Sequence, residues 1–129
     1  MENVIPYYIT RAFITDHPEW TFVHSTDFWD QQKVGPALVC QGLSNCYGVP
    51  VRWRLCKSSG YFSDNAEEQI KPKIDEMIGR IPLSRPVILF PKIGSGHSMM
   101  YKFAPRCFAY LQQRLKAIAT PIARDYTNV

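Results

Sequence analysis

Hydrophobic and polar residues repeat along this chain in two ways, one typical of strands and the other of helices. Three short apolar runs have the length and β-branched content of buried strands: Thr21–His24, Val49–Trp53 and Val87–Phe90. Apolar residues three or four positions apart predict helices that begin near Pro36, Asp64 and Pro105. Because predicted strands alternate with predicted helices, the pattern indicates an α/β fold.

The second of these helices carries two further signals. The spacing of Asp64 and Glu67 predicts a capping box at its start. Pro72 lies inside the apolar pattern, so we expect it to kink the helix or to divide it into two pieces.

The amino-terminal part contains a short strand and a short helix in this interpretation. Val4–Ile9 is predicted to be a strand, which Pro6 bends or confines to an edge. A short helix is predicted over Thr10–Asp16. It should end before Pro18, because the residue before a proline avoids the helical region. After the next strand, Ser25–Asp27 would form a helix cap or a ligand loop.

The run Val87–Phe90 leads through a glycine-bracketed turn, Gly94–Ser98, into the last predicted helix. We expect this run to be the central strand, with Phe108, Leu111 and Leu115 packed against the sheet. Glycines permit positive φ and let a ligand approach the backbone, so such a turn can present several N–H groups to one anion, most commonly a phosphate. An ordinary strand-to-helix turn uses the same residue types.

Length and composition indicate one domain, 1–129, in which about 120–129 would form a tail or a last edge strand. A hydrophobic fraction of 46% and a charged fraction of 20% are typical of a globular protein with its own core. No apolar run is long enough to cross a bilayer, and the first residues lack the pattern of a signal peptide. We therefore expect a cytoplasmic protein with no membrane partner.

The cysteines do not follow the spacing of a metal site. They predict small buried thiols, and a metal site built from them with His24 is disfavoured. No metal or other cofactor is predicted. The four are Cys40, Cys46, Cys56 and Cys107.

Charge is distributed unevenly along the chain. Residues 1–51 carry two basic and five acidic groups, whereas residues 52–129 carry thirteen basic and six acidic groups. The basic part favours an anionic ligand or nucleic acid. Arg52 and Arg54 would share one face of a strand, where arginines grip phosphate or stack on a base. The favoured alternative is a solvated arginine face with Trp53 in the core.

Several short motifs resemble those of macro domains, which bind ADP-ribose and related nucleotides. The segment Phe90–Gly96, followed by Ala104-Pro105-Arg106 at a helix start, resembles their second phosphate-binding loop. A wider resemblance, from Trp20 to Leu115, is to small macro-like proteins of phages and bacteria. Its other motifs are Trp20–Asp27, Gly35-Pro36-Ala37 and Asn45–Pro50. Ser25 stands where that family has a glycine, which favours binding over hydrolysis.

The resemblance implies a three-layer α/β/α sandwich with a mixed sheet flanked by helices. It also implies a cleft at the carboxyl ends of the strands that holds an ADP-ribose-like nucleotide or an NAD-derived signalling molecule. A phage protein of this kind would sequester a signal of host defence in the host cytoplasm. Phe28, Trp29 or Tyr47 would stack on the adenine. The expected ligand-binding residues are Ser25, Thr26, Asp27, Asn45, Tyr47, Gly94, Ser95, Gly96, His97, Ser98 and Arg106.

Two other functions stay open from the sequence. An ADP-ribosyl hydrolase would use Asp27 or Asn45 to orient a water molecule beside the scissile bond. A nucleic-acid-binding or protein-binding module would use Arg52, Trp53 and Arg54 together with the basic carboxyl-terminal part. Binding of nucleic acid would weaken steeply with salt, whereas binding of a small diphosphate would depend on salt only weakly.

Overall fold

The computed structural model describes residues 5–54, 60–121 and 124–125. These residues form a mixed α/β protein, as the alternating pattern predicted, and a 3-10 turn at Asp64–Ala66 precedes the third helix. The elements are β1 (Ile5–Pro6), α1 (Arg11–Thr15), β2 (Thr21–Asp27), α2 (Pro36–Val39), β3 (Cys46–Arg52), α3 (Glu67–Gly79), β4 (Val87–Leu89), α4 (Met100–Phe103), α5 (Pro105–Ile118) and β5 (Arg124–Asp125).

The main sheet has three parallel strands in the order β3-β2-β4. β2 is central, because Phe22 N–H donates to the Asn45 carbonyl on one side (2.8 Å) and the Val23 carbonyl accepts from Phe90 N–H on the other (2.8 Å). The expectation that Val87–Phe90 would be the central strand is therefore wrong. β4 lies at one edge of this sheet, because β2 is the only described strand that pairs with it.

Thr120 covers the other edge of β4. Its N–H donates to the Val87 carbonyl, and its hydroxyl accepts from Val87 N–H, both at 2.9 Å. A second parallel pair joins Ile5–Pro6 to Arg124–Asp125. The predicted edge strand at Val4–Ile9 is thus present over two residues, and the predicted last strand lies at β5. Residues 1–4, 122–123 and 126–129 lie outside the described residues.

Four of the helices, α1, α2, α3 and α5, form where the sequence predicted them, whereas the short helix α4 was not predicted. α1 starts after Thr10, whose hydroxyl accepts from Phe13 N–H, and ends before Pro18. α2 and α5 both begin at a proline. Along α5, Leu111 and Leu115 are fully buried and Phe108 is half-buried against the same core, which confirms the predicted helix phase.

α3 continues through Pro72 as one helix from Glu67 to Gly79, so it is not divided into two pieces. Its buried face carries the predicted apolar residues. Without an N–H group at Pro72, the Glu68 carbonyl lacks its usual helical partner, and burial of this face offsets that loss. The buried residues are Ile70, Ile74, Met77 and Ile78.

Asp64 caps a different helix from the one that the sequence indicated. Its two carboxylate oxygens accept from the N–H groups of Arg106 and Cys107, each at 3.0 Å, at the start of α5. α5 needs this help because its own N-cap residue, Ala104, has no side-chain acceptor. The predicted capping box with Glu67 is therefore wrong, and Ser63 caps the 3-10 turn instead.

Replacing Asp64 tests this long-range cap. Burial alone would raise the pKa of Asp64, but the hydrogen bonds from Arg106 and Cys107 outweigh burial and lower it. A lowered pKa stabilises the folded state above the unfolded value of about 4, and this stabilisation is lost as the pH falls through the folded value. We expect Asp64→Ala to reduce the free energy of unfolding by about 1 kcal/mol at pH 7, and by less at pH 3.

Urea unfolding at the two pH values measures this difference. Glu19→Ala, which removes an exposed carboxylate outside the helices, is the matched control and should be close to neutral. Equal stability of Asp64→Ala and the parent at pH 7 would contradict the assignment of the cap.

Candidate ligand-binding cleft

A cleft of ≈ 570 Å³ opens at the carboxyl ends of the three parallel strands. Ser25 of β2, Arg52 of β3 and Phe90, directly after β4, contribute to its wall. Parallel α/β sheets bind ligands at this edge, because loops from neighbouring strands meet there. The volume lies within the range of about 300–1,000 Å³ that small-molecule sites occupy.

The polar lining of this cleft is neutral or cationic. The remaining lining residues are mostly apolar, including Ile9, Val39 and Val51, and no Asp or Glu of the described chain lines it. The cleft therefore favours anions over cations as ligands. The polar residues are Ser25, Gln32, Arg52, Lys92, His97 and Ser98.

Arg52 is the buried cation of the cleft, with only 5% of its surface exposed. One guanidinium nitrogen donates to the His97 carbonyl at 2.5 Å, and the guanidinium carbon lies 5.3 Å from the centroid of the Tyr61 ring. No carboxylate of the described residues forms an ion pair with it. Because a buried charge is costly unless it is paired, the guanidinium donors that no described residue uses suit an anionic ligand.

The loop between β4 and α4 carries a group of N–H donors. Its bends are closed by bonds from Ser95 N–H to the Lys92 carbonyl and from Met99 N–H to the Gly96 carbonyl, each at 3.1 Å. Among the described residues, no hydrogen bond uses the N–H groups of Gly96, His97 or Ser98. Three successive N–H groups in a loop make a concave anion site.

The ends of this loop have unusual backbone conformations. Lys92 and Met99 have φ values of 60° and 56°, in the left-handed region that residues other than glycine rarely adopt. Such backbone strain collects at ligand sites, where the surrounding structure maintains it.

The two glycines of the loop have different roles. Gly94 has φ of 81°, and a Cβ there would lie 2.8 Å from the Phe108 ring, so glycine is required for packing against α5. Gly96 lines the cleft without a positive φ, and a Cβ there would meet only the Lys92 carbonyl oxygen at 3.7 Å and its Cβ at 3.9 Å. A side chain introduced at Gly96 would therefore enter the cleft without a steric clash with the rest of the fold.

Two buried polar atoms beside the cleft have no hydrogen-bond partner among the described residues. They are the side-chain amide oxygen (Oε1) of Gln32 and the hydroxyl of Ser98, and both residues line the cleft. A buried polar atom without a partner costs about 1–3 kcal/mol, so a ligand that offers hydroxyl or N–H groups would gain from pairing with them.

Asp27 and Asn45, the two predicted catalytic candidates, are engaged in local structure. The Asp27 carboxylate accepts from the N–H groups of Trp29 (3.0 Å) and Gln31 (2.9 Å). The Asn45 amide donates to the carbonyl oxygens of Trp20 and His17, at 3.2 and 3.3 Å. Neither residue lines the cleft, and neither does Thr26, whose hydroxyl is buried without a described partner.

The structure brings together four of the predicted ligand residues and separates the others. Ser25, Gly96, His97 and Ser98 line the cleft, whereas Gly94, Ser95 and Tyr47 do not. Arg106 lies at the start of α5, where its guanidinium pairs with Glu67 at 3.4 Å.

The aromatic residues of the cleft are not those proposed from the sequence. Phe28 packs on Trp53 with ring centroids 4.7 Å apart, and Trp29 lies outside the cleft. Tyr8 and Phe90 line it instead.

Sequence reasoning missed Arg52, Gln32, Lys92 and Tyr8 as cleft residues. For Arg52 a signal was present, because it directly follows the buried run Val49–Val51 at the end of a predicted parallel strand. A charged residue at that end of a strand is placed to meet a ligand. The solvated arginine face favoured from the sequence is wrong for Arg52, which is buried, although Arg54 is exposed.

These features define a small α/β protein with a cleft at the carboxyl edge of a parallel sheet. The lining of this cleft is largely apolar, and its charged side chains are cationic. The profile of a family of unknown function, DUF7831, matches residues 5–114, and the chain belongs to that family. No curated protein and no solved structure gives a significant match. In the described part of the chain, no helix is both long and apolar enough to span a bilayer.

Proposed function

We propose that this cleft binds an adenine diphosphate nucleotide of the ADP-ribose type, including NAD-derived signalling molecules. The observation that supports this most directly is that a buried Arg52 and a loop whose N–H groups have no partner among the described residues occur in one cleft, which no described carboxylate lines. Arginine and backbone N–H groups are the usual protein ligands of phosphate oxygens.

In this proposal the diphosphate lies against Gly96, His97 and Ser98. Their N–H groups donate to its oxygens, while Arg52 and Lys92 compensate its charge. Arg52 also holds the loop in place, because it donates to the His97 carbonyl. The cation and the loop would therefore bind the anion as one unit.

The rest of the cleft suits the sugars and the base. Tyr8 and Phe90 offer ring surfaces for the adenine, and Val34 and Pro36 add apolar contact. The unpaired Gln32 oxygen and the Ser98 hydroxyl would bond to ribose hydroxyls or to the adenine amino group.

Binding without hydrolysis is the form of the proposal that the geometry favours. The Asp27 carboxylate and the Asn45 amide already hold backbone groups, so neither is free to orient a water molecule. The proposed biological role is to sequester a nucleotide signal of host defence for a phage, in the host cytoplasm. The proposed full architecture is a three-layer, macro-domain-like sandwich. The mixed sheet that the resemblance implies differs from the described strands, whose pairings with one another are all parallel.

The alternative of a nucleic-acid-binding strand has less support. Arg52 is buried in the cleft, Trp53 packs on Phe28 and Phe62, and Arg54 is exposed. The three residues thus present no common surface to a base and its phosphate.

Calorimetry with ADP-ribose, followed by chromatography of the recovered ligand, tests the proposal. We expect binding with the ligand recovered intact. Replacing Arg52 with glutamine removes a buried cation and should weaken binding about tenfold or more, equivalent to at least about 1.4 kcal/mol. Arg54→Gln is the matched control and should change the affinity by less than about twofold.

Four results would contradict the proposal. Absence of binding of any adenine diphosphate at millimolar concentration would exclude the ligand class. Equal losses in the two arginine variants, or a steep decrease of affinity with salt, would favour a surface site for polyanions. Recovery of a cleaved ligand would show that the protein is a hydrolase.

A further inference from the structure

A second, smaller cleft of ≈ 220 Å³ contains two of the cysteines. His24, Asp30, Cys40 and Cys46 are among its lining residues. Cys40 is the C-cap of α2, and Cys46 is the first residue of β3. This cleft shares Gln32 with the nucleotide cleft proposed above, but neither cysteine lines that larger cleft, and the inference does not rest on that proposal.

Two consecutive turns bring these cysteines together. Leu43 N–H donates to the Cys40 carbonyl at 3.0 Å, and Cys46 N–H donates to the Leu43 carbonyl at 3.3 Å. These two turns follow one another between Cys40 and Cys46, and both cysteines line the same small cleft. Both are free thiols in the structure.

The surroundings make the two thiols unequal. Cys40 is only 3% exposed, whereas Cys46 is half-buried. Interaction with the neighbouring Cys40 thiol and the positive charge of Arg11 lower the pKa of Cys46, and interaction with Cys46 together with burial raises the pKa of Cys40. Arg11 is fixed at this position because its guanidinium donates to the carbonyl oxygens of Val39 (3.2 Å) and Gln41 (2.7 Å). Cys46 is thus the more exposed cysteine of the pair, and Cys40 is the buried one.

Cys107 provides a contrast within the same chain. It is completely buried, and burial together with the neighbouring Asp64 carboxylate raises its pKa to about 12. A thiol in such a site is unreactive, because the thiolate is the nucleophile.

We propose that Cys40 and Cys46 are a redox-active dithiol that exchanges with low-molecular-weight disulfides, with Cys46 as the attacking thiol and Cys40 as the resolving thiol. The two residues fit these roles because Cys46 is partly exposed, Cys40 is buried, and both line the same small cleft.

The exchange occurs in two balanced steps. The Cys46 thiolate attacks one sulfur of glutathione disulfide, whose S–S bond breaks. A mixed disulfide forms on Cys46, and one glutathione thiolate leaves and takes up a proton equivalent to the one that Cys46 released when it became a thiolate. Cys40 then loses its proton, attacks the Cys46 sulfur and expels the second glutathione thiolate, which takes up a proton. The two protein thiols are oxidised to one disulfide, and glutathione disulfide is reduced to two thiols.

Incubation of the full chain in glutathione redox buffers, followed by acid quenching, alkylation and peptide mapping, tests the proposal. We expect a Cys40–Cys46 disulfide in the parent protein. We also expect iodoacetamide to alkylate Cys46 of the reduced protein at least about tenfold faster than Cys107. Cys56 lies outside the described residues, so its peptide is mapped separately.

Cysteine variants separate the two roles. Cys40→Ser should accumulate the mixed glutathione disulfide on Cys46, whereas Cys46→Ser should leave Cys40 unmodified. Cys107→Ser is the matched control and should still form the Cys40–Cys46 disulfide. A link between Cys46 and Cys56, no disulfide at any buffer ratio, or alkylation of Cys46 as slow as that of Cys107 would each overturn the proposal. The last three results need only the parent protein, so the test holds even if a variant fails to fold.

Discussion

Gly96→Val is expected to weaken the binding of ADP-ribose by roughly a hundredfold or more. The valine side chain would occupy cleft space beside the loop N–H groups and prevent the diphosphate from reaching them. Hydrogen bonds to a charged group contribute about 1.5–3 kcal/mol each, so the loss of two accounts for this factor. The protein should still fold, because a Cβ at this position makes only ordinary contacts with Lys92.

Gly79→Val is the matched control for this change. Gly79 lies at the end of α3 with open space around its Cβ position, and it does not line the cleft. Circular dichroism and thermal unfolding of both variants establish that each is folded before calorimetry compares their affinities. If folded Gly96→Val protein binds ADP-ribose as tightly as the parent, the loop is only a turn between β4 and α4.

Leu111→Ala is expected to reduce the free energy of unfolding by about 2–5 kcal/mol. Leu111 is completely buried on the face of α5 that packs into the core, so truncation removes apolar contacts and leaves a cavity. A loss of this size is a large part of the stability of a domain of this length. Denaturant unfolding monitored by tryptophan fluorescence measures it.

Leu83→Ala makes the same chemical change at a surface position. Leu83 is 66% exposed in the connection before β4, and its truncation should cost less than about 0.5 kcal/mol. A similarly small loss for Leu111→Ala would show that the phase of α5 is wrong.

Local sequence patterns determined most of the helices of this protein. Pro36 and Pro105 mark the first residues of α2 and α5, because proline fits the first turn, where its missing N–H has no partner to lose. The apolar spacing around Leu111 determined which face of α5 is buried. These features depend on neighbours within a few residues, so a single sequence contains them.

The tertiary structure alone decided strand order and long-range pairing. The run at Val87 has the composition of a central strand but lies beside β2 at the edge of the main sheet, since strand order depends on pairing between distant segments. Likewise, Asp64 has the spacing of a local cap, yet its carboxylate holds the start of α5, forty-two residues away. A local pattern does not specify which helix end a cap will meet.

The same distinction between local patterns and long-range contacts applies to the candidate site. The sequence by itself determined that the Gly94–Ser98 loop follows a strand and precedes helices, which places Gly96, His97 and Ser98 at the carboxyl edge of the sheet. Only the fold decided that Arg52 is buried against that loop and that Gly94 serves packing, because both depend on contacts across the chain, with His97 and Phe108. Distant segments come into contact through the packing of the whole core, so local patterns in a single sequence do not specify those contacts.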